Sequence, residues 1–203
     1  MSVESRFESV LEAICQDTEQ EDVWLEMLSQ LEFAGCRKIV KAVPFERVNT
    51  GVLQHIMEEA SHAFLLRSLV RDREEGWATN PLTEAGWEYF QRLDHSVSVL
   101  EGSGYSYPVV AWVIERRVLE LYPLYLKHTQ RAGVRSIVTR ILAQEKGHSE
   151  SFGHGDFAPE LRARAIETEA ELWDAFVGRL EAWALGSVRL GASLPLSTNL
   201  QIG

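Results

Sequence analysis

Cysteine is almost missing from this chain. Two thiols, Cys15 and Cys36, in 203 residues cannot build a disulfide scaffold and offer no thiolate cluster for zinc. No run of about 18 apolar residues occurs, so no helical membrane span is expected. Basic charge is also in deficit, with 20 Lys and Arg against 30 Asp and Glu and a net charge of −10. That balance disfavours tight contact with nucleic-acid phosphates or anionic membranes. The glycine-rich phosphate loop is lacking, since Gly102-Ser103-Gly104 has no third glycine and follows a helical pattern. There is no Gly-x-Ser-x-Gly nucleophile elbow. The first residues, MSVESRFESVLEAICQD, lack the basic start and unbroken apolar run of a secretory leader. The expected location is the cytoplasm. No Gly/Ser- or Pro-rich linker divides the chain, so a single domain over 1–203 is expected.

What is present is helical period. Apolar residues recur at three- and four-residue spacings, and alternating β-branched runs bounded by turns do not occur. The pattern predicts a short opening helix over Ser2 to Gln16. A first long helix follows over about 19–42, with Thr18 and Glu21 as a capping box. Residues 43–49, including Pro44, form a loop, and Thr50 opens a second long helix to about Glu74. Residues 76–107 break this rhythm at Asn80-Pro81 and again at Gly102 and Gly104, around a medium helix at about 83–99. A connection of that length lets the helices on either side lie parallel. Pro108 suits the first turn of a third long helix, 108–131. Gly133 divides it from a fourth, about 134–152. An amphipathic fifth helix runs from Pro159 to about Leu185. The last 18 residues carry one charge and no helical period, which predicts a strap across the bundle or against a partner subunit.

Chemistry concentrates in two Glu-x-x-His pairs, Glu59/His62 and Glu145/His148. Residues three apart share a helix face, so each carboxylate and imidazole can reach one ion from the same side. Fewer than one such pair is expected by chance, so their settings carry the argument. Val134, Val138, Ile141, Leu142 and Phe152 line the stripe of Glu145 and His148. Val52, Ile56, Ala63 and Leu66 do the same for Glu59 and His62. A glutamate inside an apolar stripe needs compensation, because a buried unpaired charge is expensive. Divalent cations supply it.

Such a site needs one inward glutamate from each remaining helix. In the first long helix Glu26 shares its face with Asp22 and Gln30 and reads as solvated. Glu32 lies on a stripe with Leu25, Leu28, Gly35, Cys36 and Ile39. Depth agrees, because Glu32 and Glu59 stand about 15 and 13.5 Å from the intervening loop. In the third long helix two arguments conflict. Depth favours Glu120. Face favours Glu115, which shares a stripe with Ala111, Trp112, Val118, Leu119 and Tyr122, whereas Glu120 sits among Arg116, Arg117 and Lys127. A kink at Pro123 would disturb depth counting, so Glu115 is the expected ligand and Glu120 the alternative. The set is then Glu32, Glu59, His62, Glu115, Glu145 and His148, at spacings of 27, 3, 53, 30 and 3. Four carboxylates neutralise two divalent ions. Oxygen and imidazole donors suit iron or manganese. His55, one turn before Glu59, is a candidate supporting partner, and Tyr122 a candidate neighbour that also suits the core. His95, His128 and His154 follow no ligand spacing and read as surface residues.

This pattern resembles that of the ferritin-like di-iron carboxylate proteins, with spacing similar to the aldehyde-deformylating oxygenases. The stretch from Ile114-Glu115-Arg116-Arg117 to His148 is similar in layout to the tRNA-modifying hydroxylases of the MiaE type. The resemblance covers about residues 20–152. It implies an all-α, ferritin-like four-helix bundle with a long crossover between its second and third core helices and an additional C-terminal helix. It further implies a centre of two iron ions, or manganese or a mixed Mn/Fe pair, with the six named residues as metal-binding and catalytic groups. The implied activity is an O₂-activating oxidoreductase that takes a small-molecule substrate and an external electron donor. The alternative is a non-catalytic or storage-type metal-binding protein. The long crossover and tail argue against a storage shell, though not against a homodimer.

Overall fold

A computed structural model describes residues 1–71, 76–101, 107–153 and 158–186, and within them all side chains but those of 99–101, 107 and 148–153. Seven α-helices account for most of the described residues, among which there is no strand: α1 (Val3–Gln16), α2 (Thr18–Ala42), α3 (Thr50–Leu69), α4 (Pro81–Glu101), α5 (Tyr107–His128), α6 (Ala132–Gly153) and α7 (Pro159–Ala184). A single 3₁₀ turn, Phe45–Arg47, lies between α2 and α3.

The starts of these helices follow from side chains that satisfy the first free amides. Asn49 accepts from Val52 N at the start of α3. Asn80 accepts from the amides of Leu82 and Thr83 to open α4 with Pro81 in its first turn. At α2 the cap is Asp17, which accepts from Glu19 N and Gln20 N, and not the Thr18–Glu21 box expected from sequence. Glu21 turns inward instead, where Tyr125 and Thr129 donate to it. Two ends also differ from expectation. Helix α3 stops at Leu69, where Val70 caps it, rather than near Glu74. Gly133 lies inside α6, and the break falls at 129–131. There Thr129 and Arg131 direct their side chains to Glu21 and Asp22 rather than continuing the helix face.

Helices α2, α3, α6 and α5 form a closed ring of neighbours, α2 on α3, α3 on α6, α6 on α5 and α5 on α2. Their directions can be read from cross-contacts. Glu26 meets Arg67, and Ser29 meets Ala63, so α2 and α3 are antiparallel. The start of α2 meets the end of α5 through Glu21 and Tyr125. The start of α6 meets the end of α3 through Gly133 and Leu69. It follows that α5 runs parallel to α3, the arrangement that the long connection permits. Helix α7 packs on α1, α4 and α5, and α1 and α4 each pack on α2 and α5. Their junction is aromatic, with Phe7 edge-on to Trp173 at 4.9 Å and Tyr89 to Trp173 at 6.0 Å. The strap expected of the last 18 residues lies, beyond Gly186, outside the described residues.

Candidate metal centre

Buried charge is the feature that sets the middle of the ring apart from an ordinary apolar core. Glu59 is 9% exposed, His62 0%, Glu115 6% and Glu145 3%. One donor atom from each of Glu32, Glu59, His62 and Glu145 lies within 4.8 Å of all the others. Helix α2 brings Glu32, α3 brings Glu59 and His62 on one face, and α6 brings Glu145. His62 Nδ1 stands 3.0 Å from Glu145 Oε1 and 3.5 Å from Glu32 Oε2. Its Nε2 faces Gln144 Oε1 at 3.2 Å. With Nε2–H donating to that amide, Nδ1 is the nitrogen turned to the carboxylates; it holds a proton between them in the metal-free protein and is the one that a metal would take on losing it.

Glu115, from α5, lines the same cavity as Glu32, Glu59 and Glu145. Its charge contributes to the shift of Glu59, although it is not one of the four donors inside 4.8 Å. Glu120 is on the outer side of α5, its side chain 54% exposed and paired with Arg117 at 2.6 Å. The side chain of His148 lies outside the described set. Glu26 is buried, contrary to its reading as solvated: Arg67 pairs with it at 2.6 Å and Ala78 N donates to it at 2.8 Å. It stands two turns from the cluster, closed over by residues that follow α3. His95 is exposed and His128 is half-buried beside Glu8 at 3.3 Å; His154 is outside the described residues.

The electrostatics follow from crowding like charges in a dry place. Burial, then the charges of Glu32 and Glu145, hold the Glu59 carboxyl well above the usual carboxylate range. Burial alone would lower His62. Its hydrogen bonds to Glu145 and Glu32 and their negative charge outweigh that, and its pKa is raised to about 11. Burial and then Glu59 push the Cys36 thiol up as well.

Three supporting groups were not assigned a firm role from sequence. Tyr122, fully inside the core, donates to Glu32 Oε1 at 2.5 Å, and burial followed by the Glu32 charge pushes its phenol well above the ordinary value. His55 Nε2 lies 3.3 Å from Glu59 Oε1. Gly35 is the least obvious: a Cβ there would fall inside hard contact with Glu59 Oε2. Glycine costs about 1 kcal/mol in a helix interior, and here it makes room for a carboxylate. Gly35 was legible as a mid-helix glycine one turn from Glu32; Gln144 had no signal beyond adjacency to Glu145.

A cavity of about 100 Å³ opens beside the cluster. Its wall is apolar for the most part, with Met27, Leu31, Ile39, Phe90, Val110 and Ile114 among its residues. Lys38, ion-paired to Asp94 at 2.8 Å, and Arg117 are its cationic members. Compared with known protein families, with curated proteins and with solved structures, the chain matches none. The carboxylate–imidazole group and its cavity are therefore the grounds on which function is argued.

Proposed function

We propose that the chain is a ferritin-like metalloprotein that binds two divalent ions, iron or manganese, through Glu32, Glu59, His62, Glu115, Glu145 and His148, and that it is an O₂-activating oxidoreductase. The observation that carries this reading is the convergence of Glu32, Glu59, His62 and Glu145 to within 4.8 Å in a buried site. The donor chemistry fits the group. Oxygen donors with imidazole suit iron and manganese, and two divalent ions would cancel four carboxylate charges. The space that Gly35 leaves around Glu59 fits as well, since any larger residue would drive that carboxylate out of place.

When bound, such a pair of ions supplies O₂ activation and Lewis acidity. The chain's own residues supply position and dryness. Gln144 fixes the His62 ring by holding Nε2. Tyr122 fixes one oxygen of Glu32, and its buried hydroxyl holds a proton within reach of the centre. His55 steadies Glu59 from the side nearer solvent. The largely apolar wall of the cavity beside these groups favours a small organic substrate with a largely apolar body over a polar one. In this reading the electrons come from an external donor.

The test is anaerobic loading with Fe(II) followed by exposure to O₂, with oxygen consumption and the optical spectrum followed together. Rapid consumption at about one O₂ per two iron ions, with a transient absorption, supports the oxidase reading. Metal uptake with no oxygen reaction supports the storage or purely structural alternative.

A further inference from the structure

Helix α3 is apolar on two opposite sides. Its inner side sets Glu59 and His62 between buried Ala63 and Leu66. Its outer side carries Leu53, Met57 and Phe64, which are 56%, 65% and 70% exposed, with Ala60 also exposed between them. The other exposed positions of α3 hold Thr50, Gly51, Gln54 and Ser68, none of them charged. Helix α7 is built the other way, with Arg164, Glu167, Glu171 and Asp174 on its exposed side. A helix with apolar stripes on two opposite sides has the pattern of one covered on both.

The outer residues also have a seam's spacing. Positions 53, 57, 60 and 64 are separated by four, three and four residues, the a/d rhythm of a coiled coil. The strip widens onto α2. The antiparallel register set by Ser29 with Ala63 and Gly35 with Glu59 brings Phe33 beside Ala60 and Val40 beside Leu53. Val40 is 61% exposed, and Phe33 stacks on Trp77 at 6.0 Å with both rings partly bare.

We propose that this strip is the twofold interface of a homodimer, in which α3 lies antiparallel against α3 of a second copy. Positions 53, 57, 60 and 64 are symmetric about the midpoint of 58 and 59. An isologous contact therefore sets Leu53 against Phe64 of the partner subunit and Met57 against Ala60 of the partner subunit, large over small at the axis. The size is right for a second copy. At the exposures given, these side chains leave roughly 600 Å² of apolar surface bare, the upper end for monomers. A standard interface takes about 800 Å² per partner, which adjoining polar surface completes. A transient electron-transfer partner would be steered by charge to a smaller surface, whereas the α3 seam residues are uncharged and the charge beside them is Arg37 of α2, exposed between Phe33 and Val40. The inference rests on the outer face alone and holds whatever the inner face binds. In the dimer, the helix bearing Glu59 and His62 is braced from behind.

Sedimentation velocity on the full chain at micromolar concentration tests it. The expected species has twice the 23.0 kDa of one chain. Met57→Glu with Phe64→Glu places four carboxylates in the seam of a dimer and should weaken association roughly 100-fold or more, giving a monomer with an unchanged far-ultraviolet helical signal. Leu53→Cys with Phe64→Cys gives a second readout. These positions lie about 16 Å apart on one helix, so a disulfide between them joins two chains. Mild oxidation should yield a covalent dimer, while Glu171→Cys on α7 should not. A wild-type chain that is monomeric throughout overturns the proposal. So does a dimer that survives the double glutamate substitution, or cross-linking at 171 without cross-linking between 53 and 64.

Discussion

Two groups of buried glutamates share one molecule and are treated in opposite ways. Glu21, Glu26 and Glu169 each meet an arginine: Arg131 at 3.5 Å, Arg67 at 2.6 Å and Arg117 at 2.8 Å. Glu169 is held most completely, by two Arg117 nitrogens and the Tyr89 hydroxyl, with the guanidinium lying over the Trp173 ring at 4.6 Å. Arg117 and Tyr89 line the same cavity as Glu32, Glu59 and Glu145. Yet those three carboxylates are set against imidazoles, His62 and His55, at 3.0–3.5 Å. Arginine is a permanent cation and closes the electrostatic question at folding; histidine is titratable and is also a metal ligand. The difference is the reason to regard the first group as structural and the second as a site that a cation completes.

The largest effect should come from removing one member of the second group. Glu59→Ala or Glu145→Ala is expected to abolish metal uptake, measured by equilibrium loading and elemental analysis, whereas Glu26→Ala keeps it. Equal loss in all three would erase the distinction. Next comes the arginine-paired group. Glu169→Ala leaves Arg117 buried without its main partner and should cost about 3 kcal/mol, read from urea unfolding, with metal content unchanged. Gly35→Ala sharpens the contrast further. The added methyl meets the Glu59 carboxylate, so metal affinity should fall about 10-fold, and the ordinary gain of about 1 kcal/mol for replacing a helical glycine should not appear. The smallest effect has the opposite sign. Without metal, Glu59→Gln relieves crowding and should raise stability by about 1 kcal/mol in the same urea assay, the reverse of Glu169→Ala.

How much of this was legible in the sequence depends on the range of the interaction. Helix faces were, because period 3.6 places Glu32, Glu59, His62 and Glu145 on apolar stripes whatever the tertiary partners are. The same argument set Glu115 inward and Glu120 outward where depth counting suggested the reverse. Glu26 was misread because its neighbours Asp22 and Gln30 are polar. Each finds a partner far away in the chain, Asp22 in Arg131 and Arg71, Gln30 in Ala78 and Trp87, and no local pattern announces that. Glu21 was read as half of a capping box for a similar reason. Its true partners, Tyr125 and Thr129, are about a hundred residues away, and Asp17 was free to cap in its place. The break expected at Gly133 falls two to four residues earlier, at 129–131, and Gly133 is the second residue of α6.

The central claim is that the buried carboxylates around His62 are balanced by metal. The direct measurement is the number of iron or manganese ions bound per chain after anaerobic loading and removal of excess, set beside the same count for Glu59→Ala. Two ions on the wild-type chain and none retained by the variant are predicted. A wild-type chain that binds no ion, while its far-ultraviolet signal shows it folded, would contradict the account.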